Sequence, residues 1–257
     1  FAQFWYHTRV IGKMGFLETF LVTPSHHRVH HAMNTEYLDK NYGQILIIWD
    51  KLFGTFQPEL QQVPPVFGVK KPVRTWNPIL INFQHFWLLA QDAWRTRRWA
   101  DKFRLWFMRT GWRPADVAKN YPVNLVEDFS RFEKYDSHPS QALVAWSWAQ
   151  MWMTMALSFF MFNRLAEIGF PAVFAYAAFL FASVFSYTML LDKSRWAVLA
   201  EVVRVSFGLG LMAWQGGDWF GLQALTPGGV YFLQAYFAAS LGAAVYFSRM
   251  EKAIAPA

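Results

Sequence analysis

The stretch FPAVFAYAAFLFASVFSYTMLL, residues 170–191, decides the fold class of this chain. It holds no charged residue over a length that, as a helix, crosses a hydrocarbon core of about 30 Å. Three more apolar segments lie around it. Val144–Phe162 is uncharged with Gln150 as its one strongly polar residue, and Val230–Ser248 contains only Gln234. Trp196–Gln215 is interrupted by Glu201 and Arg204, whose i,i+3 spacing lets them pair. The pattern predicts an all-α integral membrane protein with a bundle of about four transmembrane helices, near 144–162, 170–191, 196–215 and 230–248. A helix enclosed by its neighbours is the other reading of the charged third segment.

Composition agrees. At 54% hydrophobic, 19% aromatic and 16% charged, the 257 residues are too apolar for an ordinary soluble domain. Fourteen Trp and 26 Phe suit residues that collect at membrane–water interfaces. The absence of cysteine excludes disulfides, thiolate-bound zinc, iron–sulfur clusters and thiol nucleophiles, so any metal must rest on nitrogen and oxygen.

The net charge of +7 is placed by topology rather than by a nucleic-acid partner. Residues 70–119 hold eleven Lys and Arg against three Asp. Lys193 and Arg195 lie between the second and third apolar segments, and Arg249 and Lys252 follow the fourth. Residues 216–229 carry no basic residue, and the first connection carries only Arg164. This positive-inside pattern predicts four crossings with both ends of the chain cytoplasmic. Within the basic region, residues 76–112 mix aromatic and aliphatic side chains with arginines. That suits either a helix lying in the headgroup plane or one packed on the bundle.

At the other end, four of seven histidines fall within Ser25-His26-His27-Arg28-Val29-His30-His31. Imidazole is the commonest transition-metal ligand. Thr23-Pro24 reads as an N-cap followed by proline in the first turn of a helix. On that helix His26/His30 and His27/His31 are i,i+4 pairs and His27/His30 an i,i+3 pair, so imidazoles can converge on one face. Residues 16–22 can turn the chain back so that His7 joins them. Asn34, Asp39, Asn41 and Asp50 are short polar residues nearby, suited to bracing ligand imidazoles or to ordinary turn chemistry. His85 and His138 read as interfacial and loop residues.

These residues resemble a known family. Thr23–His31, Asp39-Lys40-Asn41-Tyr42-Gly43 and Trp49-Asp50-Lys51-Leu52-Phe53-Gly54-Thr55 look like the last histidine box of the fatty acid hydroxylase/sterol desaturase superfamily. Phe4-Trp5-Tyr6-His7-Thr8 and Gly111-Trp112-Arg113-Pro114 look most like its alkylglycerol monooxygenase branch. The resemblance is tight over residues 1–56 and weaker over the membrane segments. It implies a membrane oxygenase, of the endoplasmic reticulum or a bacterial inner membrane, with a cytoplasmic histidine-rich di-iron centre that uses O2 to hydroxylate or desaturate a lipid. His27, His30 and His31 match the box ligands, His26 the histidine before them, and His7 a ligand upstream. For the alkylglycerol branch it implies tetrahydrobiopterin as reductant and cleavage of an ether bond; for other branches, an electron donor and a fatty acyl or sterol substrate.

The resemblance also implies two earlier histidine boxes, which do not precede Phe1 here. The chain is therefore expected to be a C-terminal portion that alone binds iron poorly and is inactive. Residues 1–58 would be the end of the hydroxylase domain, 59–143 a linker and basic interfacial region, and 144–257 the membrane bundle. A non-catalytic membrane module with a vestigial or zinc-binding cluster is the alternative from another class.

Overall fold

The computed structural model describes residues 4–109, 111–126, 128 and 132–254, and among these the chain is helical without a β-strand. Its β pairing is confined to the isolated bridges Leu21–Leu46 and Ala32–Phe67. Contacts divide the chain into two units, Phe1–Pro72 with Arg113–Lys134, and Val73–Trp112 with Tyr135–Ala257.

The first unit is built of short helices, because its sequence is dense in proline, glycine and short polar residues. A 3-10 turn, Gly15–Thr19, precedes α1 (Pro24–His30); a second, Thr35–Tyr37, precedes α2 (Ile48–Phe53), and α5 (Ala115–Asn120) lies in the later segment. The helix starts where the sequence predicts, with Thr23 extended before Pro24. The cap chemistry differs. The Thr23 hydroxyl accepts from no helix N–H and instead donates to Glu18 Oε1 (3.0 Å), and Ser25 Oγ donates to the same oxygen (2.7 Å). Val29, Ala32 and Tyr37 form the unit's small core against Leu60 and Val63. The Tyr37 hydroxyl donates to the Val63 carbonyl (2.7 Å) and accepts from the Leu60 N–H (3.0 Å), pinning the proline-rich segment that follows α2.

In the second unit α3 (Pro78–Arg95) is capped by Asn77, whose side chain accepts from the N–H groups of Ile79 and Leu80. It is followed by α4 (Trp99–Arg104) and a 3-10 turn, Leu105–Phe107. The bundle proper comprises α6 (Gln141–Asn163), α8 (Ala172–Leu191), α9 (Ala197–Trp214) and α11 (Gly229–Ile254). Two single turns, α7 (Leu165–Ile168) and α10 (Leu222–Leu225), sit in its connections. The core is aromatic: Tyr176, Phe179 and Phe237 surround Trp219, and all four are buried. Trp219 reaches this core from a connection rather than a helix. Its indole N–H donates to Tyr176 OH (2.9 Å), which donates to the Leu157 carbonyl (3.0 Å).

Among the described residues, three helices are long and apolar enough to cross a membrane: Ala172–Leu191, Ala197–Trp214 and Gly229–Glu251. The fourth segment read from the sequence forms α6, which has the length. Trp146, Trp148, Trp152, Gln150, Thr154 and flanking polar residues make it less apolar than the other three. The charges inside α9 pair as their spacing predicts. Arg204 Nη2 donates to Glu201 Oε1 (2.5 Å) and Nε to Oε2 (2.9 Å), with both side chains buried.

Candidate metal centre

Within the first unit, one face of α1 packs inward through Pro24, Ser25, His26 and Val29, and the other presents His27 and His31. These two are one turn apart, with Nε2 atoms 2.9 Å from each other. His7 completes a triangle: its Nε2 lies 2.8 Å from that of His27 and 3.3 Å from that of His31. Tyr6 seats His7 there. Its buried ring lies 4.3 Å from the His27 ring, and its hydroxyl donates to the Gln44 carbonyl (3.1 Å).

Sequence reasoning missed what bends the chain so that His7 arrives. Arg28 Nη1 donates to the carbonyls of Thr8 (3.0 Å) and Ile11 (2.8 Å). The rest of its guanidinium makes a two-point ion pair with Glu59, Nε to Oε1 at 2.9 Å and Nη2 to Oε2 at 2.6 Å. The signal was present as an arginine inside the histidine motif, flanked by the residues it would have to position.

The triangle fits a metal. Nitrogens each about 2.1 Å from one ion stand about 3.0 Å apart when they are cis in an octahedron, close to the three observed spacings. Burial, and then repulsion from His31, His7 and His30, pushes the His27 pKa down to about 3. Burial, then His30 and His7, lowers that of His31. Both imidazoles are thereby held neutral, the form that offers a lone pair. A largely apolar cavity of about 480 Å³ opens beside them, walled by Tyr6, Thr8, Phe67 and Val69. Its Phe67 wall is paired to the end of α1: Met33 N–H donates to the Val66 carbonyl (2.9 Å) and Gly68 N–H to that of His31 (3.4 Å). Gly68, at φ +158, lies so close that a Cβ there would meet Met33.

His30 stands next to the triangle, its ring 5.7 Å from that of His27 and 5.3 Å from that of His31. Its Nδ1 lies 3.2 Å from the Lys40 carbonyl. A carbonyl only accepts, so Nδ1 carries the proton and Nε2 keeps its lone pair. His26 is not brought to the cluster. It is buried against Phe56, with Nδ1 unpartnered, and burial foremost lowers its pKa.

Asn34, Asp39, Asn41 and Asp50 bond mainly to the loops around the histidines. Asp50 accepts from the N–H groups of Tyr42 (2.7 Å) and Gly43 (2.8 Å) and from the Thr55 hydroxyl (2.6 Å). Gly43 has no room for a Cβ, which would lie 2.6 Å from the Leu46 carbonyl oxygen. Asn41 donates to the carbonyls of His26 (3.1 Å) and Gln57 (2.7 Å), and Asn34 to that of Pro64 (3.1 Å). Asp39 accepts from the Tyr42 hydroxyl (3.0 Å), and the Tyr42 ring lies 5.9 Å from that of His30. His85 is exposed on α3, and His138 is exposed beside Asp136.

Residues 1–55, the stretch that holds this triangle, match the family model described as fatty acid hydroxylase. Over those residues the chain is similar to the fatty acid hydroxylase family. Its similarity to alkylglycerol monooxygenases runs further, into the membrane helices. It is 35% identical to the Homo sapiens alkylglycerol monooxygenase over 202 residues, 79% of this chain and 45% of that protein. It is 31% identical to the Xenopus tropicalis alkylglycerol monooxygenase over the same shares. Over 50 residues, 20% of this chain and 15% of the relative, it is 42% identical to an ornithine lipid hydroxylase, OlsE, of Rhizobium tropici. The chain thus spans under half the length of the alkylglycerol monooxygenases it matches. No solved structure matches it.

Proposed function

We propose that this chain carries part of the iron centre of a membrane lipid monooxygenase that cleaves alkylglycerol ethers. The observation that carries the reading is the convergence of three Nε2 atoms, from His7, His27 and His31, beside an apolar cavity. Bound iron, a pair of ions in this reading, would supply activation of O2 for hydroxylation of a lipid carbon. His7, His27 and His31 hold one ion, and His30 offers its Nε2 beside them. His26, facing inward, supports α1. Asp39, Asn41, Asn34 and Asp50 fix the loops against which the imidazoles rest. Tyr6, Phe67 and Val69 exclude water and accept the alkyl chain.

Similarity that extends over 79% of the chain supports the alkylglycerol reaction, for which we infer tetrahydrobiopterin as reductant. The short match to an ornithine lipid hydroxylase supports the second reading, hydroxylation of another lipid with a separate electron donor. Three nitrogens would equally suit zinc in a non-catalytic module. Metal analysis of the protein purified from its native membrane, with assay of alkylglycerol cleavage with and without tetrahydrobiopterin, separates these. Iron with pterin-dependent aldehyde release is the expected result. Zinc alone, or activity retained after His27→Ala with His31→Ala, would sink the oxygenase reading.

We further infer four spans, with α6 the fourth: its 23 residues carry no charge. Lys193, Arg195 and Arg249 lie at the end of the bundle where α8 ends and α9 begins, which supports that end as cytoplasmic. The chain enters the second unit at the same end, through Thr75 and Trp76 on Asp192. We also infer, from the sequence pattern, a cytoplasmic metal site and a three-part organisation of histidine region, basic interfacial region and membrane bundle.

A further inference from the structure

Helix α3 has 18 residues, and Asp92 is the only one of them that is buried. Its exposed side chains are mostly large and apolar, with Asn82, His85 and Arg95 among them. Ile79, Phe83, Phe86, Trp87 and Trp94 recur at the spacing of one helix face, and Trp94 is 88% exposed. The other side is mixed, with Gln84, His85, Gln91 and Asp92 beside Ile81 and Leu88. Those polar groups, with Asn82 and Arg95, make α3 unsuited to cross a hydrocarbon core, and its open apolar stripe makes it unsuited to water.

Where α3 begins is fixed. Asp192, the residue that ends α8, accepts from the Thr75 hydroxyl, the Trp76 N–H (2.9 Å) and the Tyr135 hydroxyl (3.0 Å). Asn77 Nδ2 then reaches Met189 Sδ (3.3 Å) on the last turn of α8. So α3 leaves the bundle at the level where a membrane-spanning helix stops. That end carries Lys193, Arg195 and Arg249, while the connection over residues 216–229 at the far end carries Asp218 and no cation.

The turn after α3 concentrates more positive charge. Arg95, Arg97 and Arg98 are exposed, and Arg104 follows on α4. Lys102 donates to the carbonyls of Ala93 (2.8 Å) and Trp94 (3.2 Å), which closes the C-terminal end of α3 and folds α4 back as a hairpin. Trp99, Phe103 and Phe107 stand exposed beside these cations. Exposed aromatic side chains next to exposed guanidinium groups suit the two layers of a bilayer surface, acyl chain below and phosphate above.

We propose that α3 and α4 form an in-plane hairpin seated in the cytoplasmic leaflet, its aromatic stripe among the acyl chains and its arginines on acidic phospholipid headgroups. This rests on the membrane reading of α8, α9 and α11, and not on the oxygenase reading. The chain has no cysteine, so single labels can be placed cleanly. Nitroxides at Phe83→Cys on the stripe, Phe181→Cys on α8 and Gln223→Cys in the far connection would be compared in lipid nanodiscs. Accessibility to O2 and to an aqueous nickel reagent reports depth. The label at position 83 should be reached by O2 in preference to nickel, at a depth shallower than that at 181, and the label at 223 should be aqueous. Spin-labelled phosphatidylglycerol should be enriched over phosphatidylcholine around the protein, and Arg98→Gln with Arg104→Gln should bring the two close to parity. A label at 83 open to nickel, or closed to both reagents, overturns the hairpin while a deep label at 181 upholds the membrane reading. A label at 181 that is not deep overturns both. Enrichment unchanged in the double variant overturns the headgroup contact.

Discussion

The Nε2 atoms of His7 and His27, twenty residues apart in sequence, lie 2.8 Å from each other. Two nitrogens so close, with a third on His31 within 3.3 Å, are spaced as donors to one ion would be, as the proposed centre requires. Removing His7 should therefore cost as much metal as removing a histidine of the helix. His7→Ala and His31→Ala should each lower the iron content of purified protein about tenfold or more, on the scale of disrupted metal sites. His30→Ala with His31→Ala should abolish it. Metal analysis decides, and wild-type iron in His7→Ala would remove His7 from the site.

Arg28 makes a separable test, because it touches the chain that carries His7 and not a metal. Arg28→Lys keeps the positive charge but cannot serve Glu59 and the carbonyls of Thr8 and Ile11 together. Iron affinity should fall about tenfold, as for the loss of a group that orients a ligand. Circular dichroism should remain unchanged. Equal affinities for wild type and Arg28→Lys would show that the histidine triangle does not need this brace.

Glu18 gives the histidine region a dependence on pH. Burial alone would raise its pKa, but hydrogen bonds from Ser25, the Met14 N–H and Thr23 outweigh it and hold the carboxyl below its ordinary value. A lowered carboxyl pKa stabilises the fold fully above the unfolded value, and that contribution disappears as pH falls through the folded one. Glu18→Gln should cost about 1 kcal/mol at neutral pH, given partial exposure to water. The difference from wild type should vanish in acid below the carboxylate range. Thermal unfolding in detergent across that range measures both, and a gap that persists in acid contradicts the assignment.

Some of this was legible in the sequence for physical reasons. Apolar length marks a span whatever it packs against, and i,i+3 spacing brings Glu201 to Arg204 on any helix. Thr23-Pro24 marks a helix start because proline lacks the N–H that a first turn leaves unused. The histidine motif, however, does not say which face turns inward, since histidines occupy both. The packing of Ser25, His26 and Val29 into the unit makes that choice and removes His26 from the cluster. Long-range partners such as Glu59 for Arg28, or Trp219 for Tyr176, depend on the tertiary fold and leave no local periodic trace.

Asp39 and Glu36 separate turn chemistry from surface charge. Asp39 adopts φ 56 and accepts from the Tyr42 hydroxyl, within the turn whose Lys40 carbonyl meets His30. Asp39→Ala should weaken metal retention more than Glu36→Ala, because alanine disfavours the left-handed backbone and loses the tyrosine bond. Asp50→Ala should instead act on stability, by about 3 kcal/mol, since three donors lose a buried acceptor. Chelator competition and thermal melts measure the two effects separately. Equal metal loss for Asp39→Ala and Glu36→Ala would count against the role given to Asp39.

The Glu201–Arg204 pair sets a test in the membrane bundle. Ser186 and Ser240 donate to the carboxylate (2.6 and 2.5 Å), and Arg204 also reaches Ser240 (2.9 Å). Gln150 on α6 donates to Ser240 as well (2.7 Å), so the network ties four helices. Desolvating two charges takes back most of what their attraction gives, while losing one partner strands the other. Arg204→Met alone should therefore destabilise the bundle by about 3–5 kcal/mol. Arg204→Met with Glu201→Gln, which keeps an acceptor for both serines, should recover most of that loss. Thermal unfolding of the three proteins in one detergent gives the comparison. If the double variant were as unstable as the single, the network would depend on charge itself, and the stranded carboxylate could not explain the loss.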